Sequence, residues 1–336
     1  MVTIAVDAMG GDFAPEAEVK GALECLADPR CDFAIALYGD AERIAPYLAG
    51  RADDGRLAVV HTTEIIDMHD SAMSALKTKK DSSMGRALEA HKAGDAQGFI
   101  SAGNTGAVMA ASTLILGRVP GVARPTIGTF MPTVRGWTLL VDAGANVDCK
   151  AHHLVQFAMM GSIYTELMRG VDRPTVGLLN VGEEDSKGGE VPVAAHRMLK
   201  EAPINFHGNV EGGDIFKGTV DVVVCDGFTG NVILKVAESV PGFLKATFRR
   251  VAEKSLLDKL RIGFAAGALR TAMKDWDYQD YGGVPLLGVN GVSIIGHGRS
   301  TPRAIKNMIL KAKETIDRGV TGRIAQAMAA HTAPGS

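Results

Sequence analysis

The chain is expected to fold as an α/β protein around a mainly parallel sheet. Three observations predict this. Short apolar runs rich in β-branched residues alternate with helix-length segments along the 336 residues, the pattern of βαβ units. There are forty glycines, where an average chain of this length carries roughly 24. They cluster where the apolar runs end, as strand-to-helix turns require. At about 150 residues per domain the length suggests about two lobes. No Pro-, Gly- or Ser-rich linker separates them, so residues 1–336 are read as one interleaved unit.

Val2–Val6 reads as the first strand, ending in Asp7-Ala8-Met9-Gly10-Gly11-Asp12. Pro15–Ala27 reads as a helix, with Pro15 suited to its first turn. Phe33–Leu37 is the second strand, a helix follows to Leu48, and Leu57–His61 is the third strand. Ser82–Ala93 has helical spacing and Gly94 stops it. No charge falls between Asp95 and Arg118, a length that could cross a membrane. Gly103 and Gly106 interrupt it, so strand Gly98–Ile100, a glycine turn and helix Ala107–Leu116 explain it better. Trp137–Val141, Thr175–Asn180, Val220–Cys225 and Ser293–Ile295 read as further strands. His152–Met168 and 302–318 read as helices, and the 329–336 tail reads as frayed.

Lys plus Arg is 36 and Asp plus Glu is 38, a formal net charge of −2. That balance gives no overall attraction to nucleic acid. Four cysteines in this length make no disulfide framework. The first residues lack the basic and apolar regions of a signal peptide, so a cytoplasmic location is expected.

Residues 241–281 differ from the rest. Up to Asp275 the segment carries eight basic residues, among them Arg249, Arg250 and Lys254, against three acidic ones. Leu256, Leu260 and Phe264 share a helical face. Pro241-Gly242 is read as its opening, and Gly263 and Gly267 as a bend between two helices. The spacing favours a packed hairpin with solvated charges over the alternative, a protruding basic, apolar surface.

Glycine at a strand end lets backbone N–H groups approach an anion, and the next helix N-terminus adds unpaired donors. Gly103-Asn104-Thr105-Gly106 and Gly227-Phe228-Thr229-Gly230-Asn231 fit that geometry. Each alone is equally explained as a tight turn. No G-x-x-x-x-G-K-[ST], G-x-G-x-x-G after the first strand, H-E-x-x-H or G-x-S-x-G occurs. Cys149, His152 and His153 lack a second ligand pair, so no metal is expected. Cys225 reads as a small buried strand residue. His297, between two glycines at a strand end, is either structural or functional. Lys187, beside Glu183, Glu184 and Asp185, is either solvated or a cation reaching an anionic substrate.

Taken in order, several blocks resemble the bacterial phosphate acyltransferases of phospholipid synthesis. They are 4–12 (IAVDAMGGD), 101–107 (SAGNTGA), 142–146 (DAGAN), 178–184 (LLNVGEE), 226–231 (DGFTGN), 281–291 (YGGVPLLGVNG) and 296–300 (GHGRS). One departure is Gly189, where Asn is expected. The resemblance implies a fold like isocitrate/isopropylmalate dehydrogenases and phosphotransacetylases, with the hairpin as an insertion. It implies a homodimer that converts long-chain acyl-acyl carrier protein and inorganic phosphate to acyl phosphate, without cofactor. It also implies peripheral association with the inner face of the membrane, where a glycerol-3-phosphate acyltransferase uses the product. In that chemistry Lys187, Asn231 and His297 are the catalytic candidates. Gly103, Asn104, Thr105, Gly106, Gly227, Thr229 and Gly230 are the phosphate-binding candidates, and Asp7 and Asp226 shape loops. Arg249, Arg250 and Lys254 would dock carrier protein, and Leu260 and Phe264 would touch the membrane. A nicotinamide-dependent dehydrogenase on the same fold, a transacylase using coenzyme A thioesters and a non-catalytic scaffold are the alternatives.

Overall fold

A computed structural model describes residues 1–48, 55–67, 69, 70, 72–272, 276 and 278–332. The first part runs β1 (Thr3–Asp7), α1 (Glu16–Leu26), β2 (Ala34–Gly39), α2 (Ala41–Leu48), β3 (Leu57–His61), α3 (Ala72–Thr78), α4 (Ser83–Ala93), β4 (Gly98–Ser101) and α5 (Thr105–Ile115). The middle runs β5 (Thr126–Thr133), β6 (Gly136–Val141), α6 (Ala151–Arg169), β7 (Thr175–Leu179), α7 (Glu190–Glu201), β8 (Asn205–Val210), α8 (Gly212–Lys217) and β9 (Val222–Val224). The remainder runs α9 (Gly227–Ala252), α10 (Leu256–Ala272), β10 (Val284–Leu287), β11 (Ser293–Ile295), α11 (Pro302–Asp317) and α12 (Val320–Thr332). Among the described residues no helix is long and apolar enough to cross a membrane.

The strands form one sheet in the order β3-β2-β1-β4-β11-β10-β5-β6-β9-β7-β8. β3, β2, β1, β4 and β11 are parallel to one another, and so are β6, β9, β7 and β8. β10 and β5 join the two sets through three antiparallel pairings, so the sets run in opposite directions. The register sets their heights. Val141 pairs with Gly128, Leu286 with Ile127, and Ile294 with both Pro285 and Ile100. Val141 therefore lies level with Ile100, and the carboxyl ends of both sets reach the same height on either side of the central pair. Ligands of open α/β sheets bind at such ends.

Side chains alternate across each strand, and the core divides accordingly. Ile4 and Val6 pack with Val19 of α1 and Ile305 of α11, whereas Ala5 belongs with Leu88 of α4 and Ala107 of α5. Leu139 and Val141 pack with α6 and α12, whereas Leu140 belongs with Ile215 of α8 and Ala237 of α9. The parallel α/β architecture thus matches the expectation. The long α6 is buried on nearly every side. That burial hides the helical period, yet the length of the helix was readable.

The hairpin differs from expectation. α9 starts at Gly227 and runs through Pro241 and Gly242, and α10 runs through Gly263 and Gly267. The break falls at Glu253–Ser255. Ser255 Oγ accepts the Asp258 N–H at 3.1 Å and donates to the Asp258 carboxylate at 2.8 Å. That cap starts a helix more decisively than an interior glycine, at about 1 kcal/mol, ends one. Met273, Lys274 and Asp275 lie outside the described residues. Gly189, the departure noted above, is the N-cap of α7 with φ −78° and ψ −175°, without a side-chain cap. A Cβ there meets nothing within 4 Å. Gly189→Asn is expected to stabilise the protein by about 0.5 kcal/mol, through a cap bond and a less flexible unfolded chain. The urea midpoint measures it, and a midpoint at or below wild type would count against the cap.

Candidate active site

β1, β4 and β11 are neighbours, so the turns that leave them stand together. Asp7, wholly buried at the end of β1, is their centre. Its carboxylate accepts Ser83 Oγ at 2.6 Å, Ser101 Oγ at 2.7 Å and the Met9 N–H at 3.3 Å. Burial pushes its pKa above the usual carboxylate range despite these donors. Ser101 Oγ in turn accepts the Gly103 N–H at 3.0 Å. A Cβ on Gly10 would sit 2.9 Å from the Gly103 nitrogen, so the two glycines let the turns close on each other. Asn104 caps α5 by accepting the Ala107 N–H at 3.0 Å. Thr105 and Gly106 are exposed in the first turn of α5, where N–H groups have no acceptor within the helix. The Gly296 N–H donates to the Ser101 carbonyl at 2.8 Å, and the Asp12 N–H to the Gly298 carbonyl at 2.7 Å. These bonds bring the exposed His297 to the same place. Its Nδ1 accepts the Arg299 N–H at 3.1 Å, so the neutral ring carries its proton on Nε2. Glu18 lies beneath Gly11, and burial raises its pKa to about 8 with the Asp7 charge adding to the effect.

β6, β9 and β7 form the second set. Asp142, at the end of β6, mirrors Asp7. Its carboxylate accepts the N–H groups of Ile127, Gly144, Ala145 and Asn146 and the Asn146 amide, at 2.7–3.2 Å. Burial raises its pKa against those donors. Asp226 caps α9, accepting the Thr229 N–H at 2.9 Å and the Thr229 hydroxyl at 2.7 Å. The Gly227 N–H donates to the Asn146 carbonyl at 2.7 Å and the Gly230 N–H to the Asp226 carbonyl at 3.0 Å. The N–H groups of Gly227, Thr229 and Gly230 are thus engaged within the protein. These three shape the turn that was read as phosphate-binding. They seat Asn231, exposed on the first turn of α9, against Gly144; a Cβ on Gly144 would lie 3.4 Å from Asn231 Oδ1.

Lys187 hangs in the loop after β7, half exposed, with its Nζ 3.6 Å from Glu184 Oε1. Such an exposed pair holds a side chain weakly. The loop itself is anchored from below. The Asn180 amide donates to the Lys187 carbonyl at 2.9 Å, and the Asn209 amide to the Glu184 carbonyl at 2.8 Å. Buried His196 meets Asn209 at 3.0 Å and lies 3.1 Å from Asp185. The two groups of turns adjoin across the sheet centre. Ala107 and Val108 of α5, Ala143, Ala145 and Leu234 of α9 belong to one apolar cluster.

Arg249, Arg250, Lys254, Leu260 and Phe264 stand elsewhere, on the α9–α10 hairpin, and all are exposed. Cys225 is buried and donates to the Asp142 carbonyl at 3.6 Å. Burial, Asp226 and Asp142 push its thiol pKa well up, the wrong direction for a nucleophile. His153 caps α6 through the Lys150 N–H. The sequence reading missed the anchors Asp142, Ser83, Ser101 and Asn209, because buried Ser and Asn carry no periodic signal. Only the recurrence of Asp at a strand end, at 7, 142 and 226, pointed toward them.

The family model described as "Fatty acid synthesis protein" matches residues 2–323. The chain is 47% identical over 335 residues to "Phosphate acyltransferase" of Chlorobaculum parvum, covering 97% of this chain and 98% of that one. The chain belongs to the phosphate acyltransferase family. A phosphotransacetylase from Streptococcus pyogenes shares the fold, with a TM-score of 0.64 at 16% identity over 94% of each chain. EutD phosphotransacetylase from Staphylococcus aureus does so at 0.59 and 14% identity, over 97% of this chain and 94% of that one. A phosphate acyltransferase built this way places its glycine turns where two oppositely directed sets of strands end.

Proposed function

We propose that this enzyme transfers the acyl group of a long-chain acyl-acyl carrier protein to inorganic phosphate. A phosphate oxygen attacks the thioester carbonyl, the carbon–sulfur bond breaks, and acyl phosphate and free carrier-protein thiol result. Phosphate is already a nucleophile near neutral pH, and a thiol of pKa ~8.5 leaves with little acid assistance. No enzyme nucleophile is needed, in keeping with the raised Cys225 pKa. The tasks left are to hold two anions and to stabilise the tetrahedral oxyanion. The observation that carries this reading is the Gly103–Gly106 turn. Asp7 and Ser101 brace it, and Thr105 and Gly106 are exposed at the N-terminus of α5. That geometry suits phosphate. Lys187 neutralises phosphate or the developing oxyanion, the Asn231 amide donates to it, and His297 handles the proton that ends on the thiol.

Phosphate-dependent thiol release from palmitoyl-acyl carrier protein, with hydroxylamine trapping of the product, tests the reaction. Release that needs phosphate and yields a hydroxylamine-reactive acyl group supports it. Failure with folded protein and intact substrate removes it, and release from a coenzyme A thioester alone favours the other transacylase.

The hairpin supports the finer assignments. Arg249, Arg250 and Lys254 form an exposed basic cluster at its tip, the surface we assign to acidic carrier protein. Neutralising the three is expected to raise KM for carrier protein several-fold at low salt, with kcat retained. An unchanged KM at low salt defeats that docking. Leu256, Leu257, Leu260 and Phe264 are more than half exposed, Phe264 by 90%. We assign this apolar face of α10 to peripheral membrane contact, beside the membrane glycerol-3-phosphate acyltransferase that would take the product. Polar replacement of Leu260 and Phe264 is expected to abolish flotation with anionic liposomes, and retained flotation would assign them to protein contacts. Phe228, Val232, Val236 and Phe243 form an exposed stripe along α9 that suits a homodimer.

A further inference from the structure

The face of the sheet that carries α6 and α11 holds a second candidate site. Between these helices, over β10 and β5, lies a cleft of about 760 Å³, within the ~300–1,000 Å³ typical of small-molecule sites. None of the residues placed at the candidate active site lines it.

Its wall is aromatic. Trp137 meets Tyr281 edge to face with centroids 5.0 Å apart, and Phe130 stacks on Tyr164 at 5.6 Å. The Arg169 guanidinium lies over both Phe130 and Trp137, 5.6 and 5.4 Å from the ring centroids. Among the described residues no carboxylate lies within ion-pair distance of it. Lys311 faces the same space from α11. Its ammonium is largely withdrawn from water, and burial lowers its pKa, with Arg169 and Arg318 adding repulsion and Glu314 opposing them. Glu314 is 3.7 Å from Lys311 and 3.3 Å from Arg318, so one carboxylate is shared by two cations. The other acids of the cleft have partners of their own, Asp280 with Arg303 and Asp317 with Lys313. Cations that converge on a partly desolvated space favour an anion there.

We propose that this cleft binds an anionic amphiphile, its head between Arg169, Lys311 and Arg318 and its acyl chain along Phe130, Trp137 and Tyr281. A carboxylate or a phosphate head meets the same cations, and the chain covers apolar surface that water now covers. The site is independent of the catalytic assignment made above.

Trp137 is the built-in reporter. The chain has two tryptophans, so Trp276→Phe isolates its emission. This protein is titrated with dodecyl phosphate and with dodecanoate below their micellar concentrations. Dodecyltrimethylammonium, adenosine monophosphate and inorganic phosphate are the comparisons. A saturable change with one or both dodecyl anions is expected, and the stronger of the two identifies the head group. Arg169→Gln and Lys311→Gln should each weaken it roughly tenfold or more, the loss of one charge-assisted contact. Arg169→Lys keeps the charge and should retain most of the affinity, which separates head-group binding from a packing defect. Lys187→Gln should leave it unchanged, and circular dichroism confirms that each variant is folded. No saturable response, equal binding of the ammonium detergent, binding of adenosine monophosphate in place of the dodecyl anions, or wild-type affinity in both Gln variants would each overturn the proposal. Loss of the response in Lys187→Gln would move the ligand to the catalytic turns and overturn it equally.

Discussion

Lys187→Gln is expected to lower phosphate-dependent turnover by about 10²–10³-fold, the usual cost of removing one oxyanion donor. Stability should not change. The side chain is half exposed, and its ion pair with Glu184, at 3.6 Å, is weak in water. The loop stays in place because its anchors are other atoms, the Asn180 and Asn209 amides on the Lys187 and Glu184 carbonyls. The kinetic split then says what the cation does. A raised KM for phosphate with kcat intact means that Lys187 binds the ground-state anion. A fallen kcat with KM intact means that it serves only the transition state. Steady-state thiol release at varied phosphate measures both. Turnover within a factor of two of wild type would remove Lys187 from the chemistry and leave Asn231 and the α5 N-terminus to carry the charge.

The parallel halves were legible because β-branched runs ending in glycine recur from Val2 to Ile295. The ends of these elements were legible where a cap marks them, as Ser82 and Gly94 mark α4. The two strands that join the halves were not. β5 carries Gly128 and Pro132 and β10 carries Pro285, residues that weaken a strand signal. β5 pairs with β6 and β10 with β11 as local neighbours, but the β5–β10 pairing that joins the halves links residues more than a hundred apart, Ile127 with Leu286. In the candidate site, the turns that hold the proposed donors were legible as motifs. Their braces were not. Asp7, Ser83 and Ser101 meet across as many as 94 residues of sequence, and nothing local reports that meeting. The hairpin was legible as a basic, apolar segment, and its bend was misplaced because the Ser255–Asp258 cap outweighs Gly263 and Gly267.

Gly230→Ala is expected to destabilise the protein by about 2–3 kcal/mol, the cost of forcing atoms into a filled space, and to reduce turnover at least as severely as Lys187→Gln. A methyl at this position would overlap the Asp142 carbonyl oxygen and sit 3.1 Å from Cys225 Sγ. Neither neighbour can yield cheaply. The Asp142 N–H donates to the Cys225 carbonyl at 3.1 Å, and its carboxylate holds the whole 142–146 turn. If Asp142 moves, those donors lose a buried acceptor. If α9 moves instead, Asn231 leaves its seat against Gly144. Gly242→Ala is the matched control on the same helix. A Cβ there meets nothing within 4 Å, so the same substitution should stabilise by up to about 1 kcal/mol through helix propensity alone. Urea unfolding and thiol release on the two variants separate the effects. A Gly230→Ala protein as stable as wild type would mean that the first turn of α9 is free to slide. The placement of Asn231 would then not depend on the Asp142 turn. Opposite signs at the two positions would show that the absent methyl at Gly230 is what lets the α9 N-terminus reach the end of β6.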